Sequence, residues 1–261
     1  MRGKLIVANW KMAPATLAEA QGLLEFTDEF LSTIPGQQAF SLVVCPPFIF
    51  IEEVAKILTM SRLSQAVLLG AQDIFWTDQP AHTGEISGPM LAKLSVRYVI
   101  IGHSERRWQL GESDEIVNQK IKAALRNELT PIVCLGERIR DESFKSFLQN
   151  QVRDTFTGLD KQEISKCIIA YEPVWAISSN PSSRPDTPES ALESIRIIQD
   201  GIIGNWKLEI GNLPKVLYGG SVSSSNIADF ISRDEIQGVL IGGASVKKDE
   251  FIKILSIAAS L

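Results

Sequence analysis

The sequence has few residues of the kinds that bind metals or form disulfides, with three cysteines and two histidines among 261 residues. His82 and His103 lie far apart, and no paired Cys/His spacing typical of a zinc site occurs. Cys45, Cys134 and Cys167 all lie in apolar, strand-like segments, with no evident base beside any of them. An odd number of such thiols suits buried, reduced cysteines better than a disulfide framework or a catalytic nucleophile. We therefore expect no metal, no disulfide and a cytoplasmic location.

The sequence also lacks the features of membrane and nucleic-acid-binding proteins. No apolar run approaches the ~20 residues that a membrane-spanning helix needs, and a net charge of −5 leaves no basic stripe for nucleic acid. Two basic residues occur within residues 1–4, as at the start of a signal peptide. The apolar run that follows, residues 5–8, is too short for a signal peptide, so we expect it to form a first strand. No linker divides the chain, and 44% hydrophobic residues can bury a substantial core. We expect a single domain over residues 1–261.

Short apolar segments recur along the chain. They cover residues 5–8, 42–45, 67–69, 98–101, 132–135, 168–171, 216–218 and 239–241. Each is continuous rather than alternating, as in parallel strands buried on both faces, and the stretch before the next one can hold a helix. An open doubly wound sheet explains this order nearly as well, but its usual glycine-rich turn after the first strand is missing. The pattern favours an α/β fold, a single-domain (β/α)8 barrel.

Two of the intervening helices carry start signals. Ser113 precedes two acidic residues, and Thr187 precedes Pro188, which is the order that suits a helix cap and a first helical turn. In residues 191–203 the apolar residues recur mostly at three- or four-residue steps. This spacing predicts an outer helix that covers the barrel.

Glu172 is the most informative single residue, because it ends the sixth apolar segment and is followed by Pro173. Barrels and doubly wound sheets place their chemistry at the carboxyl ends of their strands. Proline fixes its own φ and restricts the residue before it to extended geometry. We expect a rigidly presented carboxylate, acting as a general base beneath a mobile segment after Trp175.

Polar side chains follow other predicted strands and would meet Glu172 at one mouth of the barrel. Asn9 and Lys11 share one side of the strand alternation, so they could place an amide and a cation on an anionic substrate. His103 follows the fourth segment where a helical turn begins, a position that disfavours the protonated ring. A neutral imidazole there could polarise a carbonyl group. When His103 is considered alone, a structural role as a hydrogen-bonded residue at the end of a strand is an equally good interpretation.

Paired glycines follow the seventh and eighth segments, at residues 219–220 and 242–243. Barrels often bind phosphate at these two strand ends through backbone N–H groups, and glycine allows the close approach. A phosphorylated small molecule is the predicted substrate. Proton abstraction next to a carbonyl is the chemistry that these residues favour.

Five motifs in this order carry a resemblance to a known family. They occupy residues 9–12, 102–107, 170–177, 218–222 and 242–245, and they read Asn-Trp-Lys-Met, Gly-His-Ser-Glu-Arg-Arg, Ala-Tyr-Glu-Pro-Val-Trp-Ala-Ile, Tyr-Gly-Gly-Ser-Val and Gly-Gly-Ala-Ser. They extend from the first predicted strand to the last helix. The chain resembles the triosephosphate isomerases, which are TIM barrels.

The resemblance implies reversible interconversion of dihydroxyacetone phosphate and D-glyceraldehyde 3-phosphate through an enediol, in glycolysis and gluconeogenesis, with no cofactor. Glu172 would move the proton and His103 would polarise the oxygens. Lys11 and Asn9 would hold the substrate, and Glu105 would support the site. The phosphate would bind to backbone groups at Ser178, Ser221, Gly242 and Gly243.

By the same resemblance, residues 70–87 correspond to a protruding loop that inserts into a partner subunit beside its active site. This implies a homodimer with Thr83 near the tip of the loop and with His82 and Arg106 in the interface. Asp73 stands where the family usually has asparagine.

The sequence departs from the family in the segment after Trp175. The usual Ala-Ile-Gly-Thr-Gly-Lys is replaced at residues 176–181 by Ala-Ile-Ser-Ser-Asn-Pro, and the loop is a few residues longer. Because proline and the loss of glycine restrict the backbone, we expect altered loop kinetics with the chemistry intact.

Two other functions compete with an active isomerase. A paralogue could keep the barrel and the phosphate site in a non-catalytic binding role, but it would have little reason to retain Glu172 and His103. Another phosphate-binding barrel enzyme, such as an aldolase, would predict a Schiff-base lysine within a strand, and the apolar segments contain no lysine.

Overall fold

Parallel strands form a closed barrel in the order of the sequence, as the apolar segments predict. The structure is a computed structural model that describes residues 3–34, 40–61, 63, 66–177 and 184–261. The strands are β1 Lys4–Asn9, β2 Phe40–Cys45, β3 Val67–Ala71, β4 Tyr98–Ile101, β5 Thr130–Leu135, β6 Ile168–Tyr171, β7 Lys215–Tyr218 and β8 Gly238–Ile241. Each strand pairs in parallel with its neighbours, and β8 pairs with β1. The predicted (β/α)8 fold is confirmed.

Helices connect the strands on the outside of the barrel. They are α1 Leu17–Thr33, α2 Ile51–Met60, α3 Gly88–Lys93, α4 Ser104–Gln109, α5 Asp114–Arg126, α6 Phe144–Thr155, α7 Lys161–Ser165, α8 Pro188–Trp206, α9 Ile227–Ile231 and α10 Lys248–Ser260. In the described ranges, no helix has the length and apolar character needed to cross a membrane.

The two predicted helix starts have the expected caps. The Ser113 hydroxyl accepts the N–H of Ile116 at 3.3 Å. The Thr187 hydroxyl accepts the N–H of Ser190 at 3.2 Å, and Pro188 takes the first helical position of α8. The buried face of α8 includes Ala191, Leu192, Ile195, Ile198 and Ile202, so the helix packs with the apolar stripe that its spacing predicts.

The strands read as continuous apolar runs because both of their faces are buried. In β1, Leu5 and Val7 belong to the cluster that fills the inside of the barrel, whereas Ile6 and Ala8 belong to the layer packed under the helices. The period of two along the strand sends alternate side chains to these two cores. Neither face of the barrel wall is available for polar side chains, which are left to the strand ends.

Barrel closure between β8 and β1 requires glycine at position 238. Gly238 pairs with Leu5, and the Leu5 N–H donates to the carbonyl of Gln237 at 2.8 Å. A Cβ atom at position 238 would lie 1.9 Å from the Leu5 carbonyl oxygen, which belongs to the backbone and cannot move aside without separating the strands.

Gly238→Ala should therefore destabilise the barrel by about 3 kcal/mol or more, since an inserted methyl group in a closely packed core forces backbone shifts. The matched control is Gly204→Ala, in the exposed part of α8, where an added Cβ meets nothing within 4 Å. That change should be neutral or stabilise by up to about 1 kcal/mol, because alanine favours helix over glycine. Urea unfolding measures both, and equal stability of the two variants would contradict the closure argument.

Candidate active site

The carboxyl ends of the strands surround one cavity of about 430 Å³. Its lining contains predicted site residues from the ends of five strands: Asn9, Lys11, His103, Glu172, Ser221, Gly242 and Gly243. Residues that are far apart in the sequence thus meet at the mouth that parallel strands share. Ser178, the remaining predicted phosphate ligand, lies outside the described residues.

The Glu172 carboxylate is buried and held from several sides. Only 2% of the residue is exposed. One carboxylate oxygen, Oε2, accepts the N–H of Ser104 at 2.8 Å, and the other, Oε1, lies 3.1 Å from Nε2 of His103. Its backbone N–H donates to the carbonyl of Leu135 at 2.8 Å. A Cβ at position 219 would come within 3.0 Å of Glu172 Cγ, so Gly219 leaves just enough room for this side chain.

His103 caps α4 and presents one ring nitrogen to the cavity. Its Nδ1 accepts the N–H of Glu105 at 3.2 Å. A nitrogen that accepts a hydrogen bond carries no proton, so the neutral ring holds its proton on Nε2, the atom that faces Glu172. This is the tautomer that a neutral hydrogen-bond donor to a carbonyl oxygen requires.

Asn9 and Lys11 reach the same cavity by different routes. Asn9 is the last residue of β1, but Lys11 lies beyond the strand with a φ of 53°, so strand alternation is not what aligns the two side chains. The Asn9 side-chain oxygen accepts the Lys11 N–H at 3.0 Å and stabilises the turn. Lys11 Nζ lies 2.5 Å from Oε1 of Glu105, the carboxylate that the resemblance predicts to support the site.

The glycine-rich end of β8 packs directly against the Lys11 side chain. A Cβ at position 242 would lie 2.9 Å from Cε of Lys11, so glycine allows this close approach. Residues Gly243–Val246 form a single 3₁₀ turn directly after. Ser221 donates its hydroxyl to the carbonyl of Ala176 at 2.8 Å. This end of the cavity presents backbone groups and the ammonium group of Lys11, which together suit a phosphate.

Two of the residues predicted for a subunit interface lie on one exposed loop, and the third lies in α4. Thr83 and His82 are exposed on the loop between β3 and α3, where the His82 ring lies 4.6 Å from the ring of Phe75. Arg106 lies in α4, with Nη2 2.8 Å from Asp73 and Nε 2.7 Å from Glu112.

A buried charge cluster supports that loop, and sequence reasoning did not find it. Lys120 is buried in α5, with Nζ 2.7 Å from Asp73 and 2.5 Å from Glu112. Together with Arg106, the cluster contains two cations and two carboxylates. Burial raises the pKa of Asp73, while the ammonium group of Lys120 opposes that shift. Asp73 stands where the family usually has asparagine, and its carboxylate forms an ion pair with the buried Lys120 that a neutral amide could not form.

Glu137 is a second residue that sequence reasoning missed. Its Oε1 accepts hydrogen bonds from the Tyr171 hydroxyl at 2.9 Å, Trp175 Nε1 at 3.0 Å and Arg140 Nη1 at 3.0 Å. Burial, and then the Glu137 charge, raise the pKa of Tyr171 well above its usual value. Glu137 thus anchors the chain where the segment after Trp175 begins. The signal available in the sequence is its position two residues after β5, where polar groups of a barrel site are expected.

The three cysteines are all free and buried in the barrel wall or its edge. Burial raises the pKa of Cys167 to about 12 and that of Cys134 well above the usual value, with the nearby Glu172 charge adding to the effect on Cys134. Burial raises the pKa of Cys45 as well. Within the described part of the chain, no group of three or more His, Cys, Asp or Glu side chains is arranged to hold a metal ion.

Comparison with known proteins identifies relatives over the whole chain. The family model described as triosephosphate isomerase matches residues 4–258. A triosephosphate isomerase of Dictyoglomus thermophilum is 41% identical over 98% of this chain and 99% of its own, and one of Caldanaerobacter subterraneus subsp. tengcongensis is 40% identical over 98% and 100%. The crystal structure of a triosephosphate isomerase from Bartonella henselae superposes with a TM-score of 0.80 at 31% identity, covering 98% of this chain and 99% of that one.

The buried thiols give a prediction about reactivity. The thiolate is the reactive form of cysteine, and burial raises the pKa of all three thiols. In the native protein at pH 8, none of the three should therefore react with Ellman's reagent within an hour. In denaturant, all three should react. A thiol that reacts rapidly in the native protein would contradict the buried assignment.

Proposed function

Since the chain belongs to the triosephosphate isomerase family and interconverts dihydroxyacetone phosphate and D-glyceraldehyde 3-phosphate, we propose that Glu172 and His103 carry out its proton transfers. One observation carries this assignment. Glu172 Oε1 and His103 Nε2 lie 3.1 Å apart in the lining of one cavity. A base and a hydrogen-bond donor at this separation can act on neighbouring atoms of one small substrate.

In the proposed reaction, Glu172 removes a proton from the carbon next to the substrate carbonyl. The electron pair of that C–H bond forms the C=C bond of an enediol, and the carbonyl oxygen takes the developing negative charge. His103 stabilises this charge through its Nε2–H, which turns from Glu172 to the substrate oxygen. The proton of the hydroxyl group on the deprotonated carbon passes to the former carbonyl oxygen, and the electron pair left on the hydroxyl oxygen forms the new C=O bond. The C=C electron pair then takes up the proton that Glu172 returns to the former carbonyl carbon. Because the Glu172 carboxylate is almost completely buried from solvent, its electrostatic interactions with the reacting atoms are stronger than they would be in water.

We assign substrate binding to the other residues of the cavity. Lys11 places its ammonium group between Glu105 and the glycine-rich end, where the phosphate of a phosphorylated triose would lie. Backbone N–H groups at Ser221, Gly242 and Gly243 would hold the phosphate, with Asn9 beside Lys11. Ser178 would add a further N–H from the segment after Trp175, which would close over the bound substrate and exclude water.

A homodimer is the proposed assembly, in the cytoplasm and with one domain per chain. Beside Lys11 lies a second cavity of about 500 Å³, lined among others by Met12, Arg106 and Leu110. Met12 is 92% exposed and Leu110 66% exposed, although both are apolar. An exposed apolar rim next to an active site suits burial by a partner, and the loop that carries Thr83 would supply the matching surface.

Glu172→Gln and Glu172→Asp test the catalytic assignment. Because loss of a positioned base costs about 10²- to 10⁴-fold, kcat should fall by at least about 10²-fold in the Gln variant, and steeply in the Asp variant, whose carboxylate is withdrawn by one methylene. A coupled assay of glyceraldehyde 3-phosphate isomerisation measures this. Glu52→Gln, on the exposed surface of α2, is the matched control and should leave kcat unchanged.

Parent-like activity in both Glu172 variants would remove Glu172 from the role of base. An inactive parent that still binds inorganic phosphate would instead support the non-catalytic paralogue. The two outcomes are distinguished by the isomerase activity of the unsubstituted protein, which is present in the first case and absent in the second.

Thr83→Glu tests the proposed dimer. A charge at the tip of an inserted loop would be buried by the partner, so the dimer dissociation constant should rise at least about tenfold, equivalent to 1.4 kcal/mol. Thr59→Glu, on the exposed end of α2, should leave it unchanged. Sedimentation equilibrium measures both, and a parent that sediments as a 28.8 kDa monomer at micromolar concentration would overturn the dimer.

A further inference from the structure

Arg107 holds the main chain on both sides of His103. Its side-chain Nε donates to the carbonyl of Gly102 at 2.8 Å, and its backbone N–H donates to the carbonyl of His103 at 3.0 Å. Gly102 has a φ of 68°, a left-handed conformation that side chains rarely adopt. The turn that aims the imidazole is thus fixed at both of its peptide groups by one residue.

The guanidinium group is itself fixed by acceptors on two outer helices. Arg107 Nη1 lies 2.6 Å from Oδ1 of Asp114, and the Thr155 hydroxyl donates to the same carboxylate oxygen at 2.8 Å. The Arg107 side chain is 8% exposed and that of Asp114 30% exposed, so this charge-assisted contact is partly shielded from water. Asp114 opens α5 and Thr155 ends α6, so two outer helices hold the arginine in place.

The same side chain reaches the strand that supports Glu172. Arg107 Nη2 donates to the carbonyl of Cys134 in β5 at 3.3 Å. The next carbonyl along β5, that of Leu135, accepts the Glu172 N–H. Arg107 therefore connects the backbone that carries His103 to the backbone that carries Glu172.

We propose that Arg107 is a positioning residue for the isomerisation, setting the distance between His103 Nε2 and Glu172 Oε1. This inference rests on the proposed function of those two residues. Arg107 does not line the cavity, so it acts through His103 rather than on the substrate. Its side-chain hydrogen bonds, to Gly102, Asp114, Cys134 and Thr155, start from three nitrogens of one planar group, which the single ammonium of lysine cannot reproduce.

Arg107→Lys should lower kcat by about 10- to 100-fold, the scale of a misplacement of about 1 Å, and leave KM within about twofold because the phosphate site is untouched. Asp114→Asn, which keeps an oxygen acceptor but removes the charge, should give a smaller fall in kcat and serves if the lysine variant folds poorly. Arg153→Gln, on the exposed face of α6, is the matched control and should match the parent.

Histidine ring ¹⁵N NMR provides a direct readout, because the chain has two histidines. In Arg107→Lys the His103 Nε2 signal should shift, whereas the signal of His82, which contacts Phe75 on the loop between β3 and α3, should not. Introducing Arg107→Lys into a His103→Gln background should produce little further loss of kcat, because both changes act on one function.

The outcomes separate the inference from the proposed function beneath it. Parent-like kcat in His103→Gln would reject His103 as a catalytic group. A strong defect in His103→Gln, with unchanged kcat and an unchanged His103 signal in Arg107→Lys, would reject Arg107 as its positioning residue. A lowered melting temperature of Arg107→Lys with unchanged kcat would assign Arg107 a merely structural role and also overturn the proposal.

Discussion

Closure of the barrel between β8 and β1 is the constraint on which the active-site arrangement depends. Asn9 ends β1 and Gly242 follows β8, so these two residues are brought together by the pairing of β1 with β8, which begins where Gly238 lies against Leu5. The closeness of that contact leaves no room for a side chain at position 238. Once the ring of parallel hydrogen bonds is complete, every strand delivers its last residue to one mouth. The fold supplies convergence, and the residues at the strand ends supply chemistry.

The two groups assigned to proton transfer are oriented mainly by peptide groups. The Ser104 N–H holds the Glu172 carboxylate, and the Glu105 N–H fixes the tautomer of His103. Peptide donors belong to the scaffold and do not reorganise when charge develops on the substrate. Such a site is sensitive to where the backbone lies, which gives the contacts of Arg107 to the Gly102 and Cys134 carbonyls their importance.

Much of this arrangement could be predicted from the sequence, because strands buried on both faces leave continuous apolar runs and polar residues then mark where they end. The starts of the strands were harder to predict from the sequence. In β2, the polar Ser41 separates Phe40 from the apolar run, and β5 begins with the polar Thr130 followed by Pro131, so neither strand begins with a continuous apolar run. Lys120 was not predicted, since its burial depends on Asp73 in the loop after β3 and on Glu112 in the segment between α4 and α5. The same holds for Glu137, whose three donors come together only in the folded protein.

The cluster of Lys120, Asp73, Glu112 and Arg106 limits how this part of the chain can evolve. Removing one member of a buried ion pair costs about 3–5 kcal/mol, because the remaining charge is left without a partner. An exchange of Asp73 for the asparagine usual in the family would leave two cations facing one carboxylate. The aspartate and its charged neighbours are therefore expected to change together across related sequences, so that the residue tolerated at position 73 depends on the history of the other three.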